Sequence, residues 1–129
     1  MGILSGLLGH SSKADVGRLQ QDFAPLLAEG EELVAAYRVL RDLMVFTTKR
    51  LILVNKQGVT GSKAEYLTIP YERITRFSKE SAGILDLDAE LKIWIVGQKE
   101  PIQRTFTRND NVNEVYQLLS RAVLEDGSS

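Results

Sequence analysis

The chain has no cysteine and a single histidine, His10, among its 129 residues. The first absence excludes a disulfide scaffold, a thiolate zinc site and a cysteine nucleophile, and it suits a reducing cytoplasm. The second removes the usual general base. A Ser-His-Asp relay would have to run through His10, close to the N-terminus. No apolar run reaches the roughly 18–20 residues of a membrane-spanning helix. The first ten residues are apolar but lack the basic start and long apolar centre of a secretory signal. Met1-Gly2 opens as a myristoylation site does, but Gly6 stands where that motif wants Ser or Thr. Prolines number three, and each (Pro25, Pro70, Pro101) falls where an element is expected to end or turn.

What remains is the composition of one ordinary soluble domain. Hydrophobic residues make up 43% and charged residues 26%, enough apolar surface for a core and enough charge for a solvated exterior. The net charge of −1 hides an uneven distribution. Residues 37–79 hold nine basic side chains and three acidic ones, whereas the flanks hold seven basic and fourteen acidic. Such asymmetry marks an anionic partner, a self-complementary surface, or strand exteriors whose charges balance in space.

The hydrophobic period changes along the chain. Ile3, Leu4, Leu7 and Leu8 form one short helical stripe, weakened by Gly2, Gly6 and Gly9. Ser12-Lys13-Ala14-Asp15 reads as a capping box for a helix that runs to about Ala24 and stops at Pro25, with Val16, Leu19 and Phe23 on its apolar face. From Glu32 the alternation is that of strands. Leu33, Ala35, Tyr37 and Val39 share one face. Leu43 to Thr47 follows after a short reversal at Arg41-Asp42. Arg50 to Val54 is apolar on both faces and therefore central. Ala64 to Ile69 ends at Pro70, and Tyr71-Glu72 re-enters the sheet. Then come Ile74 to Lys79, with Ile74, Arg76 and Ser78 on one face, Asp86 to Val96, and Ile102 to Thr107. Asn111 with Glu114 reads as a second capping box, opening a helix whose stripe is Val112, Val115, Leu118, Leu119, Ala122 and Val123.

Helix, seven strands and a closing helix predict a mainly β (α+β) fold. The sheet is a curved antiparallel seven-stranded sheet or partial barrel, capped by the C-terminal helix. This order resembles a pleckstrin-homology fold, and the local sequence resembles the bacterial PH domains. The resemblance is carried by Gly30-Glu31-Glu32, by Arg41-Asp42 through Phe46-Thr47-Thr48-Lys49-Arg50-Leu51-Ile52, by Gly58-Val59-Thr60-Gly61, by Ile69-Pro70-Tyr71 and by Ala89-Glu90-Leu91. It divides the chain into an N-terminal helical segment (1–28), a PH-like domain (29–124) and a tail (125–129). It implies a non-enzymatic module that assembles with itself into an oligomer, a ring among the options. The first reversal is too short to wrap a phosphorylated head group, and Trp94 sits on a strand. Both features depart from the phosphoinositide-binding PH domains.

Other chemistry is thinly represented. Asp86, Asp88 and Glu90 share a strand face, where carboxylates can hold a hard cation or simply meet water. Gly58 to Lys63 lacks the glycine spacing of a phosphate loop and reads as a hairpin turn. Thr47 and Arg50 flank the Thr48-Lys49 turn, either as an anion site or as groups that satisfy the turn's own backbone. Tyr37, Tyr66, Tyr71, Phe77 and Trp94 are too scattered for a nucleic-acid platform in an acidic chain. The expectation is a cytoplasmic protein, peripheral to a membrane at most, that needs no cofactor or metal. Its first partner is itself, through the candidate assembly segment Ile3, Leu4, Leu7 and Leu8. An unidentified protein or a membrane surface met by Arg38, Arg41, Lys49 and Arg50 is the alternative, and nucleic acid is excluded.

Overall fold

The computed structural model describes residues 12–81, 88–107 and 111–125. The element order is β1 (Ser12–Lys13), α1 (Val16–Phe23), a 3-10 turn (Ala24–Leu26), β2 (Leu33–Val39), β3 (Asp42–Thr47), β4 (Arg50–Gln57) and β5 (Lys63–Pro70). A second 3-10 turn (Tyr71–Arg73) leads to β6 (Ile74–Ser81), β7 (Ala89–Ile95), β8 (Ile102–Phe106) and α2 (Val112–Leu124). Two antiparallel sheets result, ordered β1-β2-β3-β4-β5 and β6-β7-β8, and they do not close into a barrel. The seven long strands and both helices are those the periodicity predicts.

The first sheet is apolar on both faces because each of its central strands alternates between two cores. Met44, Phe46, Leu51 and Leu53 face the second sheet and α2, where Leu91, Ile93, Phe106, Val115 and Leu119 complete the main core. Leu43, Val45, Ile52 and Val54 face the other way, against Phe23, Val16 and Leu19 of α1. The helix α1 therefore plasters one face of the sheet, and α2 fills the gap between the two sheets.

Four local expectations are corrected. Ser12 does not cap α1: Ser12 and Lys13 pair with Arg38 and Tyr37 of β2, and Asp15 caps instead, accepting from the Arg18 N–H. Leu33 does not share a face with Ala35. A register shift between them adds one residue, Val34, and turns Leu33 toward α1. The same device between Ile74 and Arg76 sends Ile74 inward while Arg76 stays outside. Tyr71 and Glu72 belong to a 3-10 turn rather than to the sheet. In addition, Glu114 does not close a box with Asn111, whose side chain makes no cap bond. Glu114 accepts from the Tyr37 hydroxyl at 2.6 Å, tying α2 to β2. Burial, reinforced by that carboxylate, pushes the Tyr37 phenol well above its usual pKa.

Candidate interaction groove

A groove of about 470 Å³ opens where the last turns of α2 pass the β3–β4 turn. Phe46, Tyr71, Leu118 and Ala122 supply its apolar wall, and Val34, exposed by the β2 bulge, stands at its mouth. Lys49, Arg121, Glu72 and Glu125 also line it, two charges of each sign. The α2 stripe explains the apolar wall. Val112, Val115 and Leu119 are consumed by the core, so Leu118 and Ala122, on the shoulder of the stripe, are left beside the opening.

Beneath this groove lies a buried polar network. Arg50 grips Glu31 at two points, Nε to Oε2 at 2.8 Å and Nη2 to Oε1 at 2.9 Å. The same guanidinium donates to the Leu26 carbonyl and to Thr68 Oγ1. Thr47 Oγ1 donates to Glu31 Oε2 at 2.5 Å and accepts from the backbone N–H groups of Lys49 and Arg50. The Ala28 N–H donates to Glu31 Oε1. The Arg50 hydrogen bonds, with help from Thr47 and Ala28, hold the Glu31 carboxyl at a pKa of about 2 against the opposing effect of burial. Tyr71 is bound in from above, its hydroxyl donating to the Thr47 carbonyl at 2.7 Å. Burial raises that phenol's pKa, partly offset by the hydrogen bond to Thr47.

The four basic candidates are not gathered at one place. Arg41 lies at the β2–β3 turn, where its Nη1 and Nη2 donate to the Gly58 and Lys56 carbonyls. Arg38 lies one step away on β2 and is half-buried. Lys49 and Arg50 lie at the far end of β3, which six residues separate by about 20 Å. Arg50 is turned inward by Glu31, so Lys49 alone of the four lines the groove. Glu90 pairs with Glu80 across β6 and β7, where Lys92 meets Glu80 at 3.8 Å. Trp94, on the same face, is stacked under Arg76 at 4.3 Å. Among the described residues no three carboxylate or imidazole groups converge as metal ligands would, and no helix is long and apolar enough to cross a membrane. Ile3, Leu4, Leu7 and Leu8, like Asp86, lie outside the described residues.

The Glu31–Arg50 pair and the groove are what sequence reasoning missed. The available signal was the stretch Gly30-Glu31-Glu32 set beside a Thr-x-x-Arg turn, two fragments that carry the resemblance and meet only in the fold.

The two-sheet architecture closed by α2 is matched by sequence. The profile of the bacterial PH domain family covers residues 2–123. The chain belongs to the bacterial PH domain family. An uncharacterized protein of Bacillus subtilis (strain 168), YjqA, is 47% identical over 121 residues, covering 93% of this chain and 97% of its own. The crystal structure of a DUF1696 family protein with a pleckstrin-homology domain from Shewanella loihica PV-4 is 43% identical with a TM-score of 0.80. It covers 89% of this chain and 98% of that one. A pleckstrin homology domain from Shewanella amazonensis SB2B is 48% identical with a TM-score of 0.81, covering 86% of this chain and all of that one. In this bacterial PH domain the β2–β3 reversal is two residues long, Leu40 and Arg41, and Arg41 is spent on the β4–β5 loop.

Proposed function

We propose that this bacterial PH domain is a non-catalytic scaffold module that self-associates, through its sheet edges and its N-terminal apolar segment, into a discrete homo-oligomer. The observation that carries this reading is the outer edge of β5. All eight residues, Lys63–Pro70, pair with β4 on one side, and among the described residues no strand pairs with the other. Most of β5 is also exposed on both faces, Tyr66 included. A strand edge of that length is a template for backbone pairing with another chain, and head-to-tail pairing closes into a ring when the rotation permits. The groove adds a second docking element. Its apolar wall and charge-balanced rim suit a protein segment better than a polyanionic head group. The reducing cytoplasm is the compartment this reading implies for a cysteine-free chain.

The test is molar mass in solution. A proline at Thr68, on the edge strand, removes a backbone donor and is expected to lower the mass of the assembly. A full chain that stays monomeric at high micromolar concentration overturns the reading.

The second reading is a peripheral contact with anionic lipid. It is favoured by exposed Lys49 near Arg121 and by Leu124, 71% exposed at the end of α2. It predicts salt-sensitive sedimentation with phosphatidylserine vesicles that Lys49→Glu weakens. Vesicle binding indifferent to that charge reversal contradicts it.

A further inference from the structure

We infer that the outer edge of β5 pairs with the same edge of a second copy about a two-fold axis, antiparallel and with Tyr66 opposite Tyr66. This rests on the self-association proposed above and names the partner of that edge.

The N–H and C=O of one strand residue point to the same side, and those of the next residue to the other. Hydrogen bonds at both ends of β4 fix its phase. The Lys56 N–H donates to Asp42 Oδ1, and the Lys56 carbonyl accepts from Arg41. At the other end the Arg50 N–H donates to Thr47 Oγ1. All three bonds point toward β3. The even-numbered residues of β4 thus face β3, and Leu51, Leu53, Asn55 and Gln57 bond β5. Their partners are Ile69, Leu67, Glu65 and Lys63. The N–H and C=O groups of Ala64, Tyr66 and Thr68 therefore point outward. Pro70 shares their phase, so its missing N–H costs the sheet no ladder bond.

The other edges match this one poorly. β6 is flanked by α2, where Tyr116 meets Phe77 edge-on at 5.1 Å and Lys79 reaches Asn113. β8 lies against β2, and β1 is two residues long. Among the described residues β5 is the long strand left most open, exposed over most of its length on both faces. Its best counterpart in a second copy is β5 itself, and a patch that pairs with itself does so about a two-fold axis.

Three antiparallel registers bring outward residues together near the middle of the strand. Glu65 opposite Glu65 sets like charges face to face. Leu67 opposite Leu67 sets Ala64 against Pro70, which has no N–H to donate. Tyr66 opposite Tyr66 sets Ala64 against Thr68 of the second copy on both sides of the axis. Every outward N–H of Ala64, Tyr66 and Thr68 then finds a carbonyl, with Glu65 opposite Leu67 and Lys63 opposite Ile69. Tyr66, 52% exposed and held edge-on against Phe23 at 6.0 Å, gains a second aromatic ring across the strands.

The cysteine-free sequence makes disulfide trapping clean. Full-length Tyr66→Cys is oxidised mildly beside Val59→Cys, whose site is 99% exposed on the β4–β5 loop. Directly opposed strand residues have Cα atoms about 4.5–5.5 Å apart, within the span of a disulfide. The expected yield of covalent dimer from Tyr66→Cys is on the order of tenfold above the control, because pairing raises the local concentration of the thiols. Mixed Glu65→Cys and Leu67→Cys chains leave the Phe23 contact in place and read the register. They are expected to link to each other about tenfold more than to themselves. A Glu65→Cys chain that prefers itself overturns the inference. Linkage no greater than in the control for every variant, in a native chain that light scattering shows to be oligomeric, overturns it in favour of head-to-tail pairing and leaves self-association standing. A native chain that stays monomeric at high micromolar concentration overturns both.

Discussion

Glu31 and Arg50, nineteen residues apart, close a two-point ion pair under the β3–β4 turn. Its carboxylate is almost fully buried while the guanidinium is partly open to solvent. The pair joins the chain leaving α1 to the start of the central strand β4, and Thr47 shares the carboxylate. Glu31→Ala would leave Arg50 and Thr47 without their acceptor. It is expected to cost about 2–4 kcal/mol, since breaking such a pair leaves a half-buried charge uncompensated. Urea unfolding of the variant checks it.

The same carboxylate predicts an acid limb. Its folded pKa of about 2 lies below the ordinary 4.5. Protonation is thus easier in the unfolded chain, and the stabilisation is complete above pH 4.5. It fades as pH falls from there through about 2. The loss across that window is on the order of 3 kcal/mol. Unfolding free energy measured from pH 6 to pH 2.5 is expected to fall steeply in the native protein and more gently in Glu31→Gln.

Much of this was legible in the sequence, and the limits have physical causes. The strands were readable because Leu51 to Val54 and Ala89 to Ile93 alternate with period two between turn residues. The bulges at Val34 and Thr75 were not, because an inserted residue breaks the alternation without leaving a composition signal. Ser12 and Glu114 satisfied local capping rules, yet β2 claimed the first as a strand partner and Tyr37 the second. The main-core stripe of α2 was legible, but the groove was not. It exists only where Leu118 and Ala122 meet Phe46 and Tyr71 from distant parts of the chain. The basic excess between residues 37 and 79 leaves open in the sequence whether it forms one patch, and the hairpin carries Arg41 and Lys49 to opposite ends of the sheet.

At the β2–β3 reversal Leu40 holds a positive φ of 58° while nearly half exposed. A left-handed backbone costs a side-chain-bearing residue about 1–2 kcal/mol, and glycine is spared that cost. Leu40→Gly is therefore expected to stabilise the fold by up to about 1 kcal/mol, after the greater entropy of the unfolded glycine is subtracted. A rise in the thermal midpoint checks it.

Leu119 is fully buried between the sheets and holds α2 against the main core. Leu119→Ala is expected to cost about 3 kcal/mol through lost burial and the cavity left behind.

The most direct test of the central claim is the molar mass of the full chain by light scattering, beside that of a Leu4→Glu, Leu7→Glu double variant. Self-association through the apolar segment predicts a discrete mass several times the 14.4 kDa of one chain, and a lower mass for the variant. A mass of one chain for the native protein at high micromolar concentration contradicts it.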